Sequence, residues 1–408
     1  MFNALAFREA FPGVVSSSQV YFDNAATTQK PICMMQELQS YYSSLVGSAG
    51  RGQHRAAINA TRIYQEARNK IASYIHARGP ENIVFTRNAT DAINIVAGGA
   101  REKLRTVDNI VVTGLEHNAN LFPWLQACQR TGAKLRIIPL DRDGAPDITQ
   151  ALQMIDEHTR FVALSAASNV TGRTLPFEDL INIAHKHSAL VLLDASQLMA
   201  HRAIDVEKCK CDFTLFSAHK LYGPEGLGVL YGRDAAFQAI SHVRFGGGMA
   251  AERSEAEGWF EALPHPEGFE AGTQDIAAAV AFASVLDFLG ESDERTRFDY
   301  TLTLLESLET GLSEIPGVHI LPAGNNRIPI LSFFASEVAS SDLEAYLSMR
   351  GFCTRSGTHC AFSAIRRLAP QGTLRVSLAP YNTSEEVHAF LETIRGAIRY
   401  FGGKNDDI

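Results

Sequence analysis

Seven short apolar runs, spaced through about residues 80–232, most constrain what this chain can become. They cover 82–86, 109–113, 135–140, 161–166, 189–194, 213–217 and 228–231. Most are apolar throughout rather than alternating. A strand of that kind is buried on both faces, as in a sheet covered by helices. Between the runs, 147–155 and 178–187 carry helix-like spacing. Such strand–helix repetition predicts a mostly parallel α/β layer.

The last third follows another pattern. Phe298, Leu302, Leu305, Leu308 and Leu312 recur every three to four residues, the stripe of an amphipathic helix. Strand-like runs follow at 328–334 and 373–378. Thr383 precedes Glu386 by three residues, a capping box opening a helix with Val387, Phe390, Leu391, Ile394 and Ile398 on one face. These segments predict a smaller α+β domain over about 286–408. A large α/β domain would span 21–285, preceded by an N-terminal segment 1–20, and the Gly/Glu/Pro-rich stretch 246–272 reads as a long loop excursion.

With 408 residues, the chain can bury a substantial core without disulfide or metal staples. Its 46% apolar and 20% charged residues are ordinary for a globular protein, which excludes disorder as the dominant state. Lys and Arg total 37 against 45 Asp and Glu, a formal charge of −8. That balance argues against non-specific binding to nucleic acid or anionic membrane. No secretory leader pattern and no run of about 18 apolar residues is found, so a soluble, cytoplasmic protein is expected. The 6 cysteines are sparse and unevenly spaced, which suits a reducing compartment. Cys209-x-Cys211 has no second Cys/His pair at zinc spacing, so no metal site is expected.

The polar residues that could do chemistry cluster just past the ends of the apolar runs. Ser217-Ala218-His219-Lys220 follows one of them, with the Gly-rich turn 223–228 beyond. A lysine leaving a buried strand enters a cleft where desolvation favours the neutral amine, as a Schiff-base lysine requires. Asp194 ends another run, with Gln197 three residues on. A carboxylate there suits pairing with a protonated pyridine nitrogen. Thr86-Arg87-Asn88-Ala89-Thr90 lies between a strand and a helix start, where free N–H groups and the helix dipole attract anions. His117, in Glu116-His117-Asn118-Ala119-Asn120, could stack on an aromatic ring and move protons. Ser168-Asn169 follows a further run. In an open parallel sheet, ligands bind at the carboxyl ends of the strands, and all these groups fall there. In the last third, Arg355 and His359 flank Cys360 and could help hold its thiolate. Arg375, inside a strand-like run, could grip a carboxylate bidentately. Taken singly, each has an ordinary structural alternative as a helix cap, a loop cysteine or a solvated arginine.

Together these residues resemble the cysteine desulfurase / selenocysteine lyase family. These are class V members of the fold-type I pyridoxal-phosphate enzymes, and the type II Suf- and Csd-like branch is the nearest in pattern. The resemblance rests on Ser217-Ala218-His219-Lys220-Leu221-Tyr222-Gly223-Pro224, Glu116–Asn120, Ser168-Asn169-Val170 and Phe269-Glu270-Ala271-Gly272-Thr273. It extends from Tyr21-Phe22-Asp23-Asn24-Ala25-Ala26 to Ala379-Pro380-Tyr381-Asn382-Thr383. It implies a fold-type I transferase: a large domain with a mostly parallel central sheet, and a small C-terminal α+β domain. The implied cofactor is pyridoxal 5′-phosphate. Lys220 would hold it covalently, Asp194 would pair with its ring nitrogen, and His117 would stack over the ring. Asn169 and Gln197 would sit near the phenolic oxygen. Thr90, Ser217, His219 and the Ala89 backbone would hold the phosphate. Thr273 would reach the phosphate of a neighbouring subunit, implying a homodimer. Arg51-Gly52-Gln53-His54 resembles another segment that approaches the site. Cys360 would accept sulfur, while Arg375, with Asn169, Ala26 and Arg355, would bind the substrate.

The implied reaction takes L-cysteine to L-alanine and a persulfide on Cys360, with a SufE-like acceptor and iron–sulfur cluster assembly downstream. Selenocysteine lyase, or another class V lyase or epimerase not using Cys360, remains an alternative. Departures from the family pattern are Thr358, where type II members carry a histidine, Ser196 in place of a common alanine, and Gln274-Asp275 after Thr273.

Overall fold

The computed structural model describes residues 2–50, 52–141 and 143–402. All seven apolar runs are strands of one sheet: β1 (Ile83–Thr86), β2 (Asn109–Thr113), β3 (Lys134–Ile138), β4 (Thr159–Ser165), β5 (Leu190–Asp194), β6 (Phe213–Ser217) and β7 (Gly228–Gly232). Their order is β1-β7-β6-β5-β4-β2-β3. β3, β2, β4, β5 and β6 run parallel, and β7 is antiparallel to both β6 and β1. The carboxyl ends of the other six strands therefore share one edge.

The apolar runs do not alternate because both faces are covered. Ile110 and Val112 point into one core cluster and Val111 into the other. Leu192 likewise opposes Val191 and Leu193, and Leu230 opposes Val229 and Tyr231. Successive side chains of a strand point to opposite faces, so two cores demand apolar residues at every position. Each such Val, Leu or Phe contributes roughly 1.5–3 kcal/mol by leaving water. The outermost strand β3 is the exception; its first four residues are only partly covered.

A second sheet follows: β8 (Val318–Ile320), β9 (Ile330–Ala335), β10 (Arg355–Gly357) and β11 (Thr373–Ser377), in the order β8-β9-β11-β10, all antiparallel. Helices Glu294–Ser313 and Ser384–Gly402 cover it with Leu304, Leu305, Leu308, Leu312, Phe390 and Ile394. The capping box forms reciprocally: Thr383 N–H donates to Glu386 Oε2 at 3.1 Å, and Glu386 N–H to Thr383 Oγ1 at 3.3 Å. Position 286 falls inside the helix Ile276–Gly290. The first residues form helices Ala4–Glu9 and Pro12–Val15, and Phe11 is fully buried beside Tyr222, Phe288 and Tyr381.

The stretch 246–272 is not a bare loop. Ala250–Ser254 and Trp259–Ala262 pair as an antiparallel hairpin, with Gly258 at φ +69 leading into its second strand. Trp259 and Phe260 on that strand stay exposed, so no core periodicity marks it in the sequence. Among the described residues, no helix is long and apolar enough to cross a membrane.

Candidate active site

Lys220 ends a single helical turn, Ala218–Lys220, that leaves β6 directly. The chain must then double back tightly. A side chain at Gly223 would sit 2.5 Å from the Phe282 ring and 3.0 Å from the Ala218 carbonyl, so only glycine lets the turn close. Burial lowers the Lys220 pKa, and Asp194 pulls it back upward; Arg375, Cys360 and Arg355 also act on it. Asp194 closes the adjacent strand β5, is 7% exposed, and accepts the Ser196 N–H at 2.9 Å. Gln197 donates to the Ala25 carbonyl at 2.9 Å, which seats the Ala25-Ala26 segment against the same edge.

Beyond β1, Ala89 opens the helix Ala89–Arg101. Asn88 caps it, accepting the Asp91 N–H at 2.9 Å. The Ala89 N–H donates to Ser217 Oγ at 2.8 Å, tying this helix start to the turn that carries Lys220. Gly228 makes the approach possible, since a Cβ there would lie 2.5 Å from the Asn88 backbone. Thr90 is exposed on the first turn. His219 is mostly covered, and burial, then Lys220 and Lys30, lower its pKa to about 4. Thr90, His117 and Cys360 line one open cleft of about 650 Å³.

His117 follows β2, and its Nδ1 accepts the Ala119 N–H at 3.1 Å. Burial, then Lys220, lowers its pKa to about 4, so the ring is neutral near pH 7. Behind it, Glu116 is 1% exposed and receives Thr113 Oγ1 at 2.6 Å, Asn120 Nδ2 at 2.6 Å, and the Ser165 hydroxyl and N–H at 2.6 and 3.0 Å. One carboxylate thus pins the ends of β2 and β4 and the His117 turn. Burial raises its pKa to about 7.

The second sheet brings in the thiol. Cys360 is exposed, and both His359 and Cys360 take left-handed backbone angles, φ +50 and +53. That conformation is costly for non-glycine residues and persists only where neighbours hold it. They do: the Cys360 carbonyl accepts the Asn118 N–H at 2.7 Å, and the His359 carbonyl accepts Asn169 Nδ2 at 2.7 Å. The His359 ring turns inward to Thr373 Oγ1 at 2.8 Å. Arg375 is 2% exposed; it donates to the Asn169 carbonyl at 3.1 Å and pairs with Asp23 at 2.7 Å. Arg355 pairs with the other oxygen of Asp23 at 3.3 Å.

The strand edge therefore gathers Lys220, Asp194, Gln197, Ser217, His219, Ala89, Thr90, His117 and Asn169, and the second sheet adds Cys360, Arg355 and Arg375. Ala26 belongs to the segment seated beside Gln197, and its N–H donates to the Asp23 carbonyl at 3.0 Å. Thr273 is exposed and outside this group. Arg51 lies outside the described residues. The expectation that His359 helps hold a thiolate is corrected: burial, then Arg375 and Arg355, lower its pKa to about 3, so it carries no positive charge to offer Cys360. Sequence reasoning assigned no role to Glu116, Asp23, Asn118 or Thr373. Glu116 and Asp23 stood inside quoted motifs, but nothing in the chain order showed their burial or their partners.

Known proteins bear on this arrangement. A model of the family described as aminotransferase class-V matches residues 20–390. A Pseudomonas aeruginosa protein named "probable cysteine desulfurase" is 39% identical over 93% of this chain and 94% of its own length. The crystal structure of the cysteine desulfurase CsdA from Escherichia coli superposes with a TM-score of 0.92 at 35% identity, covering 98% of this chain and 100% of that one. The apo cysteine desulfurase of Thermococcus onnurineus gives 0.93 at 32% identity, covering 98% and 99%. With its parallel sheet, strand-end lysine and latched cysteine loop, the chain belongs to the class-V aminotransferase family, among the cysteine desulfurases.

Proposed function

We propose that this chain releases sulfur from L-cysteine onto Cys360, giving L-alanine and a Cys360 persulfide. The observation that carries this is the latching of the cysteine loop. The carbonyls of His359 and Cys360 are held at 2.7 Å by Asn169 and Asn118, groups of the same strand edge that presents Lys220. An exposed thiol is thereby fixed to the edge that presents the partly covered Lys220 amine.

The cofactor is pyridoxal 5′-phosphate, and the residues fit it. A covered amine at Lys220 and a carboxylate at Asp194 sit on adjacent parallel strands. Asn169 Oδ1, Ser196 Oγ and Arg375 Nε are buried there without hydrogen-bond partners among the described residues. When bound, this group supplies an electron sink for charge developing at the substrate Cα. Lys220 would hold it and, once released, move the Cα proton; its lowered pKa suits a base. Asp194 would keep the ring nitrogen protonated, with Asn169 and Gln197 at the phenolic oxygen. Thr90, Ser217, His219 and the Ala89 N–H would hold the phosphate. His117, neutral and facing the cleft, would stack over the ring and take the proton of the substrate thiol. Arg375, with Asn169, Ala26 and Arg355, would orient the substrate. Cys360 as thiolate would then attack the substrate sulfur. Over the whole reaction, L-cysteine and the Cys360 thiol become L-alanine and the persulfide, and the atoms balance.

The finer setting is part of the same proposal. Thr273, exposed in one chain, would complete the phosphate site of a second copy in a homodimer. The persulfide sulfur would pass to a SufE-like acceptor for iron–sulfur cluster assembly in the cytoplasm. Residues 21–285 would act as the large cofactor domain, and 286–408 as the small domain carrying the thiol.

The test is alanine and sulfide release from L-cysteine by wild type, Cys360→Ala and Lys220→Ala. Loss of the nucleophile should lower L-cysteine turnover by about 100-fold or more, and loss of the lysine should abolish it. Wild-type turnover by Cys360→Ala would overturn the thiol's role. Retained turnover of L-selenocysteine alone by that variant would instead identify a selenocysteine lyase.

A further inference from the structure

Arg355 and Arg375 stand directly opposite each other on the antiparallel strands β10 and β11. Like charges at such positions repel. One carboxylate answers both. Asp23 reaches Arg375 Nη2 at 2.7 Å through one oxygen and Arg355 Nε at 3.3 Å through the other. Its own backbone bridges Ser377, two positions along from Arg375, so the main chain aims the carboxylate. Arg375 spends Nη1 on the Asn169 carbonyl at 3.1 Å. Its Nε is left buried with no partner among the described residues. An unpaired buried guanidinium N–H is costly, which makes it a donor waiting for a ligand oxygen. The neighbouring histidines, His117 and His359, are neutral and add no charge. The arginine pair and Asp23 together thus carry a net charge of plus one.

We propose that Asp23 is the specificity-determining residue of this pocket. By cancelling one of two opposed arginine charges, it matches the pocket to an amino acid with a single carboxylate and turns away those with a second anionic group. Without it, Arg355 loses its carboxylate partner and becomes a cation, half exposed on the strand leading to Cys360, where a second carboxylate could dock. The proposal rests on Arg375 receiving the substrate carboxylate.

The experiment measures inhibition constants of L-alanine and L-aspartate against sulfide release from L-cysteine by the holoenzyme. Asp23→Asn should shift the ratio toward L-aspartate by about tenfold. Arg355→Gln, on a half-exposed side chain, should shift it the other way. Asp23→Glu, which keeps the charge, should stay near wild type. A ratio within about twofold of wild type in both Asp23→Asn and Arg355→Gln overturns the proposal. Arg375→Lys separates it from its foundation. If that change leaves both constants unmoved, the carboxylate assignment itself is wrong. If it weakens both ligands while the Asp23→Asn ratio stays flat, only the role of Asp23 falls. Opposite shifts in the two charge variants are something mere destabilisation would not produce.

Discussion

Three histidines of the site, His117, His219 and His359, are held neutral by burial, at about 4, 4 and 3. In the unfolded chain each would titrate near 6.5. Between the two values the unfolded state binds protons that the folded state refuses. Stability from these groups is therefore complete above pH 6.5 and is lost as pH falls, by about 1.4 kcal/mol per pH unit for each group within its window. Glu116 works the other way, because its pKa is raised to about 7 and folding takes up a proton below that value. Three against one leaves acid destabilisation. Urea unfolding should show a lower midpoint at about pH 5.5 than at about pH 7.5. An equal or higher midpoint at the acid value would contradict this charge assignment. At this scale the sequence carried residue types and their place after strands, which was enough to find Lys220, Asp194, His117 and Cys360. Burial was invisible, so His359 read as a group that helps hold the Cys360 thiolate. Asp23 went without a role because both its partners come from the far end of the chain.

Elements were more legible than residues wherever two cores imposed a pattern. Apart from the outermost strand β3, each apolar run became a strand of the large sheet because both its faces had to leave water. The hairpin 250–262 was read as loop because its strands face solvent and pattern nothing. The edge strand β1 shows what a strand needs where pairing stops. Arg68 donates to the Ile83 carbonyl, and Glu270 accepts the Phe85 N–H at 2.6 Å. The two side chains, 3% and 6% exposed, pair bidentately at 2.7 and 2.8 Å, and Tyr64 donates to Glu270 at 3.0 Å. This cluster fixes the strand that leads to Ala89 and the segment that leads to Thr273. Removing either partner leaves a buried charge alone, so Arg68→Ala or Glu270→Ala should each cost about 3–5 kcal/mol. The double change Arg68→Met with Glu270→Leu should cost less than the two single losses summed, because it leaves no lone charge, while the Ile83 carbonyl and the Phe85 N–H still lose their partners. Denaturant titration reads all three, and single-variant losses below about 1 kcal/mol would mean the pair is no more than a surface bridge.

Across the whole molecule, the site is an encounter between two sheets. The large sheet supplies the amine, the carboxylate and the anion-binding helix start, all from one edge. The small sheet supplies the thiol and the arginines. The segment 20–30 spans them: Asp23 bridges Ser377 and grips Arg375, while Thr28 binds the His219 carbonyl at 3.0 Å. Such long-range closure cannot be read from local spacing; the family resemblance stood in for it. In the proposed reaction, the Cys360 thiol takes the sulfur. The most direct measurement is peptide mass spectrometry of the holoenzyme after L-cysteine, with no acceptor or reductant added. One added sulfur is expected on the peptide containing Cys360, absent in Cys360→Ala. Alanine formation with the sulfur on another cysteine, or with none retained on Cys360, would contradict it.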